Sequence, residues 1–168
     1  MKAYLKKFFE RGLSIAAFIF PLIEISYYFG PKVFTNTDSL ALKLFYFNYL
    51  TKVTRFYEAN VYLIFIFMVA VFITCSRGTL PLNKYVRFNI IQAILLNIIC
   101  SCVGACFAYM PIVIRESTIG FLLTNSIFLG MLTLIVYSII LILYGRYPKI
   151  PVVSEAAKLQ VQRGYSDY

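Results

Sequence analysis

Histidine is absent from the 168 residues. That removes the side chain most often used as an acid–base group near neutral pH, and the commonest metal ligand with it. Charge is sparse too: Asp, Glu, Lys and Arg make up 14% of the chain, about half the share in soluble domains. There is no inward carboxylate pair and no glycine-rich phosphate loop, so catalysis is not expected. The four cysteines, Cys75, Cys100, Cys102 and Cys106, lack ligand spacing, and three of them sit in one apolar run. They read as small apolar residues, and neither a metal nor a cofactor is expected.

What is abundant is apolar surface. Hydrophobic residues make up 61% of the chain, against roughly 45–50% in soluble domains. A water-soluble core could not hide this much, so lipid must cover it. A basic head (Lys2, Lys6, Lys7, Arg11) precedes an apolar run at 13–29, interrupted by Pro21 and Glu24. No small-x-small cleavage site follows, so the run reads as an uncleaved first span. Further uncharged runs occupy 59–76, 88–114 and 118–144, and a polar tail fills 145–168. The expected fold is all-α: a single membrane domain, an integral bundle of four transmembrane helices.

Segment 40–57 adds an amphipathic helix. Lys43, Asn48, Lys52 and Arg55 fall on one half, and Phe45, Tyr46, Tyr49, Val53, Phe56 and Tyr57 on the other. The pattern fits a helix lying in the membrane interface and equally one packed over the bundle. The net charge is +9, but the basic residues are scattered through terminal and loop segments. That suits membrane orientation and anionic headgroups, not nucleic acid. Eleven of the 16 basic residues fall in the head, the 77–87 loop and the tail, and five on the opposite side. The bias puts both termini on the cytoplasm-like side.

Glu24 is the one charge inside a span, where charge is costly. It reads as a relay or pore-lining carboxylate, or as a group near the far interface that reaches water or a basic residue. The third span gathers Asn89, Ala93, Asn97, Cys100, Ser101 and Gly104 on one side, and the fourth has Ser126, Gly130, Thr133 and Tyr137. Such amides must face protein or water. Close helix packing explains the stripes, and so do two facing walls of a hydrophilic path.

The run Tyr85-Val86-Arg87-Phe88-Asn89-Ile90-Ile91-Gln92-Ala93 resembles the signature YVRFNxxQA of the twenty-kilodalton subunit family of TIC, the translocon at the inner envelope membrane of chloroplasts. Phe20-Pro21-Leu22-Ile23-Glu24 resembles that family's first span, and Ile150-Pro151-Val152-Val153-Ser154-Glu155-Ala156-Ala157 its proline-containing end. The stretch 31–58 shows the least likeness. The resemblance implies four helices and a part in moving precursor proteins across the inner envelope, with other translocon subunits, the precursors and membrane lipids as partners. If the membrane is the plastid inner envelope, the cytoplasm-like side of the charge bias is the stroma; in a cyanobacterium the membrane would be the plasma membrane. A basic head without a long presequence suits a plastid-encoded or cyanobacterial protein, or a mature fragment. Within the signature, Arg87 is expected to hold headgroup phosphates and Asn89 to bond within the bundle. A structural assembly subunit is the rival reading. A small-molecule transporter fits less well, since no inverted repeat or broken helix is evident.

Overall fold

The computed structural model describes the backbone of residues 2–166 and the side chains of residues 4–162. The side chains of Lys2 and Arg163, counted in the charge bias, lie outside that range, as does the end of the polar tail.

The described chain is an all-helical bundle. Helix α1 (Lys2–Ala17) passes through a break at Phe18 into α2 (Ile19–Thr35). Pro21 explains the break: it has no N–H for the carbonyl of Ala17, and its ring crowds that turn. The first span is therefore a broken helix, which the sequence did not suggest. It is also longer than 13–29, since the apolar helical stretch runs over Tyr4–Thr35. Pro31 sits inside α2 and does not end it. The last carbonyls are taken up locally, by Thr35 Oγ1 on Pro31 O at 2.6 Å and Asn36 Nδ2 on Lys32 O at 3.0 Å.

Next come α3 (Leu40–Phe45), one π-helical turn (Tyr46–Leu50) and α4 (Thr51–Ala59). At Asn60 the chain bends by 79° into α5 (Val61–Arg77). The sharp bend sets the 40–59 segment across the direction of the span. Its inner line, Tyr46, Thr54 and Tyr57, is buried, with Tyr46 stacked on Phe34 at 5.1 Å between ring centroids. Phe45, Tyr49, Val53 and Phe56 remain exposed on an adjacent line. The helix thus rests on the bundle along one edge and offers a separate aromatic edge outward.

Helix α6 (Lys84–Ala108) is the centre of the molecule, and every residue from Val86 to Ile94 is buried. It ends before 114 because Pro111 disfavours helical geometry at Met110. A single turn, α7 (Ile112–Arg115), leads to α8 (Thr118–Leu143), whose first turn is capped by Ser117. The tail ends in α9 (Val153–Ser166), which packs on α6 and α5. Three stretches, Tyr4–Thr35, α6 and α8, are long and apolar enough to cross a bilayer, and α5 joined to its bent neighbour makes a fourth. Helix α5 alone has 17 residues, about 26 Å at the helical rise, close to a hydrocarbon thickness of about 30 Å.

The first span lies between α6 and α8 and packs on both. Apolar contact is weakly selective here, because lipid tails are as apolar as leucine. Polar bonds therefore fix the arrangement, and they concentrate at the end that holds both termini. Arg11 donates to Leu143 O at 2.9 Å, capping α8, and Arg87 donates to Cys75 O at 2.7 Å and Ser76 O at 3.1 Å, capping α5. Each guanidinium fills the place of a missing side chain at a glycine with φ near +73°. A Cβ on Gly145 would lie 2.7 Å from Arg11, and one on Gly78 3.0 Å from Arg87. At the opposite end Lys32 pairs with Glu116 at 3.4 Å and also donates to Arg115 O, tying α2 to the α7–α8 turn.

Candidate site: a carboxylate-lined cleft between helices

Helix α5 is held mainly by its C-terminal end. Cys75 is fully buried, whereas Tyr62, Leu63, Phe65, Ile66 and Phe67 are exposed. The outer part of α5 therefore stands away from α2 and α6 and leaves a cleft of about 600 Å³. Aromatic and aliphatic side chains make most of its wall, among them Tyr28, Tyr62, Phe65, Val69 and Phe72. The polar exceptions are Glu24, Tyr57, Asn97 and Ser101.

These four come from three elements. Glu24 of α2 is only 4% exposed and lies inside the bundle, not at its rim. Its two oxygens accept hydrogen bonds from different hydroxyls, Oε2 from Tyr57 of α4 and Oε1 from Ser101 of α6. Neither partner is basic. The ion pairs recorded among the described residues, Lys32–Glu116 and Arg115–Glu116, lie elsewhere. A carboxylate has about four acceptor positions, so two hydroxyls leave capacity unused. Asn97, 1% exposed, lies one turn before Ser101 and beside the Tyr57 hydroxyl. Its Oδ1 is left buried without a partner.

The remaining positions singled out in the sequence have other places. Gly104 is buried against Tyr28, and a Cβ there would come within 2.3 Å of that ring. It is a point of close helix approach. In α8 the expectation of a stripe facing the third span is wrong. Gly130, Thr133 and Tyr137 are exposed, nothing lies within 4 Å of a Cβ on Gly130, and it is Ile135 that is buried. The reason is the first span, which occupies the space between α6 and α8. Gly120, Thr124, Phe128, Ser138 and Ile142 form the inward face instead.

The signature residues act as joints between elements. Tyr85 Oη donates to Ile142 O at 3.2 Å, at the end of α8. Arg87 is 2% exposed and caps α5, which corrects the expectation that it holds headgroup phosphates. Phe88 packs edge-on to Tyr147. Asn89 Nδ2 reaches Ser14 Oγ of α1 at 3.4 Å, and Ala93 lies in the core beside Leu96 and Ile25. Gln92 Nε2 meets Ser154 Oγ at 3.2 Å and Pro148 O at 3.4 Å, which docks the tail. Ser154 also accepts from Ile150 N at 2.6 Å, closing the turn before α9.

Sequence reasoning missed Tyr57 as the partner of Glu24, and Ser14, Ser154 and Arg11 as anchors. A buried acid requires donors, and Tyr57 was the aromatic residue of the amphipathic segment placed to supply one. Cys75 and Cys100 are buried, whereas Cys102 and Cys106 are exposed, Cys102 on the wall of the cleft.

Comparison with known proteins shows the family. The profile of the family described as "Chloroplast import apparatus Tic20-like" matches residues 3–157. The chain is 32% identical over 155 residues to the Tic20 family protein Ycf60 of Gracilaria tenuistipitata var. liui, covering 90% of this chain and 75% of that one. It is 35% identical over 158 residues to Ycf60 of Porphyra purpurea, covering 93% and 77%. A Tic20 family protein of the cyanobacterium Synechocystis is 30% identical over 154 residues, 91% of this chain and 93% of that one. An all-helical membrane bundle whose signature residues lock its helices together, matched over nearly its whole length, belongs to the Tic20 family.

Proposed function

We propose that this chain is a non-enzymatic membrane subunit of the protein-import translocon of the plastid inner envelope, and that precursor polypeptides pass along the cleft beside α5. One observation carries this reading: Glu24, Asn97 and Ser101 line an intramembrane cleft of about 600 Å³. A translocating chain has backbone N–H and C=O groups that hydrocarbon cannot satisfy, and these side chains offer partners. The charge bias supports stromal termini. A bundle this narrow does not enclose a polypeptide by itself, so other translocon subunits complete the path. The family description, which names chloroplast import, supports the same assignment.

The test uses photo-crosslinking amino acids in the assembled translocon with an arrested precursor. Positions Ser101 and Tyr62 are expected to capture the precursor, and the exposed α8 positions Leu122 and Ile140 are not. Capture from α8 alone would move the path outside this cleft and overturn the reading.

A second reading, an assembly subunit, has its own support. The outward line Ser126, Gly130, Thr133 and Tyr137 of α8 offers small and polar groups to a neighbouring helix.

A further inference from the structure

The polar wall of the cleft is made of acceptors in excess. Glu24 keeps unused acceptor positions after bonding to Tyr57 and Ser101. Asn97 Oδ1 is buried and unpartnered on the same wall, one helical turn from Ser101. Around them stand the rings of Tyr28, Tyr62 and Phe65. An acidic group in hydrocarbon calls for a compensating cation, and among the described residues no ion pair supplies one to Glu24.

From this geometry we infer that the cleft binds one basic side chain of a polypeptide, with arginine favoured over lysine. The inference rests on the reading that polypeptides reach this cleft. A guanidinium has five N–H donors in a planar fork, enough to meet both the Glu24 carboxylate and Asn97 Oδ1. It is more weakly hydrated than an ammonium, so it loses less on leaving water, and its plane stacks on aromatic rings. The surrounding rings add cation–π attraction in a desolvated setting. Glu24 and Asn97 are thus the binding pair, and Tyr57 and Ser101 are positioning residues that hold the carboxylate at the cleft wall.

The experiment uses the full-length protein in lipid nanodiscs. Two apolar probe peptides are compared, each with a benzophenone beside one central residue. That residue is arginine in one and citrulline, its neutral isostere, in the other. Capture on α5 fragments containing Tyr62 and Phe65 is read by mass spectrometry. The arginine probe is expected to be captured at least about tenfold better, in line with the cost of leaving a buried charge without its partner. Glu24→Gln should abolish the preference, and Asn97→Leu should reduce it. The wild-type comparison needs no variant to fold, and Asn97→Leu leaves the carboxylate in place. Equal capture of both probes would overturn the basic-residue site while leaving the polypeptide path standing. A preference that survives both substitutions would also overturn it. Capture of neither probe would overturn the path and the site together.

Discussion

The two halves of this bundle are held by different means. At the end with the termini, side chains reach across to backbone carbonyls of other helices: Arg11 to α8, Arg87 to α5, Tyr85 to α8 and Gln92 to the tail. In the other half α5 diverges; Lys32 ties α2 to the α7–α8 turn at the rim, and inside the bundle Tyr57 and Ser101 donate to Glu24, with Asn97 beside them, around a cleft. A helix end has carbonyls with no partner of their own, so an arginine placed there gains bonds that lipid cannot offer. A helix middle has no such carbonyls. Polar residues there are costly, and they mark a place where something other than lipid must come. The first half specifies the fold, and the second is left open by it.

The sharpest way to break the first half is Arg87→Met. It strips α5 of its cap and leaves two carbonyls without donors in a buried site. The expected loss is about 3 kcal/mol or more, read as a collapse in the yield of folded, detergent-stable protein. Arg87→Lys should not restore it, since an ammonium cannot span two carbonyls as the planar fork does. Gly104→Val comes next. Its side chain would drive into Tyr28 and part α2 from α6, at about 1–3 kcal/mol. A thermal midpoint unchanged by Gly104→Val would show that the two helices are not held as closely as described.

The sequence made the class of fold plain, because uncharged runs of spanning length leave few alternatives. It also made the signature visible, and the signature's polar residues are the joints. What it hid was direction. Periodicity placed Gly130, Thr133 and Tyr137 on one face of α8, but nothing in a single helix says whether that face meets lipid or protein. Burial went instead to Gly120, Thr124 and Ser138, because the first span lies between α6 and α8. Arg87 was misread for a similar reason. At the start of a span an arginine suits headgroups, and only the return of α5 to the same spot offers it carbonyls. The Glu24 site depends on contacts 33 and 77 residues away in the chain, and no local pattern reports those.

A milder test of the same contrast is Gln92→Leu. It removes the bonds to Ser154 and Pro148 that dock the tail, at about 1 kcal/mol. The bonds from Arg11, Arg87 and Tyr85 at that end stay intact, so the bundle should stay folded while α9 becomes faster to cut in limited proteolysis. An α9 as resistant as in the wild type would assign its docking to buried Ala157 and Val161 and to the bond between Ser76 and Gln160.

The smallest effect on the isolated chain is expected from Gly130→Leu combined with Thr133→Leu. Both positions are exposed, and a Cβ added at Gly130 would meet nothing within 4 Å. Neither change touches the bonds at the terminus end or the cleft. Stability of the purified protein should therefore stay within about 0.5 kcal/mol of wild type. If α8 docks another membrane helix through this face, two leucines would block the close approach that small residues allow. The variant would then fold normally yet fail to co-purify with its partners, and it would still capture the arginine probe at the Glu24 cleft. Normal assembly would remove the main support for an assembly role and leave the cleft as the working part of the chain. Loss of assembly together with retained probe binding would show that the open half of the bundle and the outer face of α8 serve separate tasks.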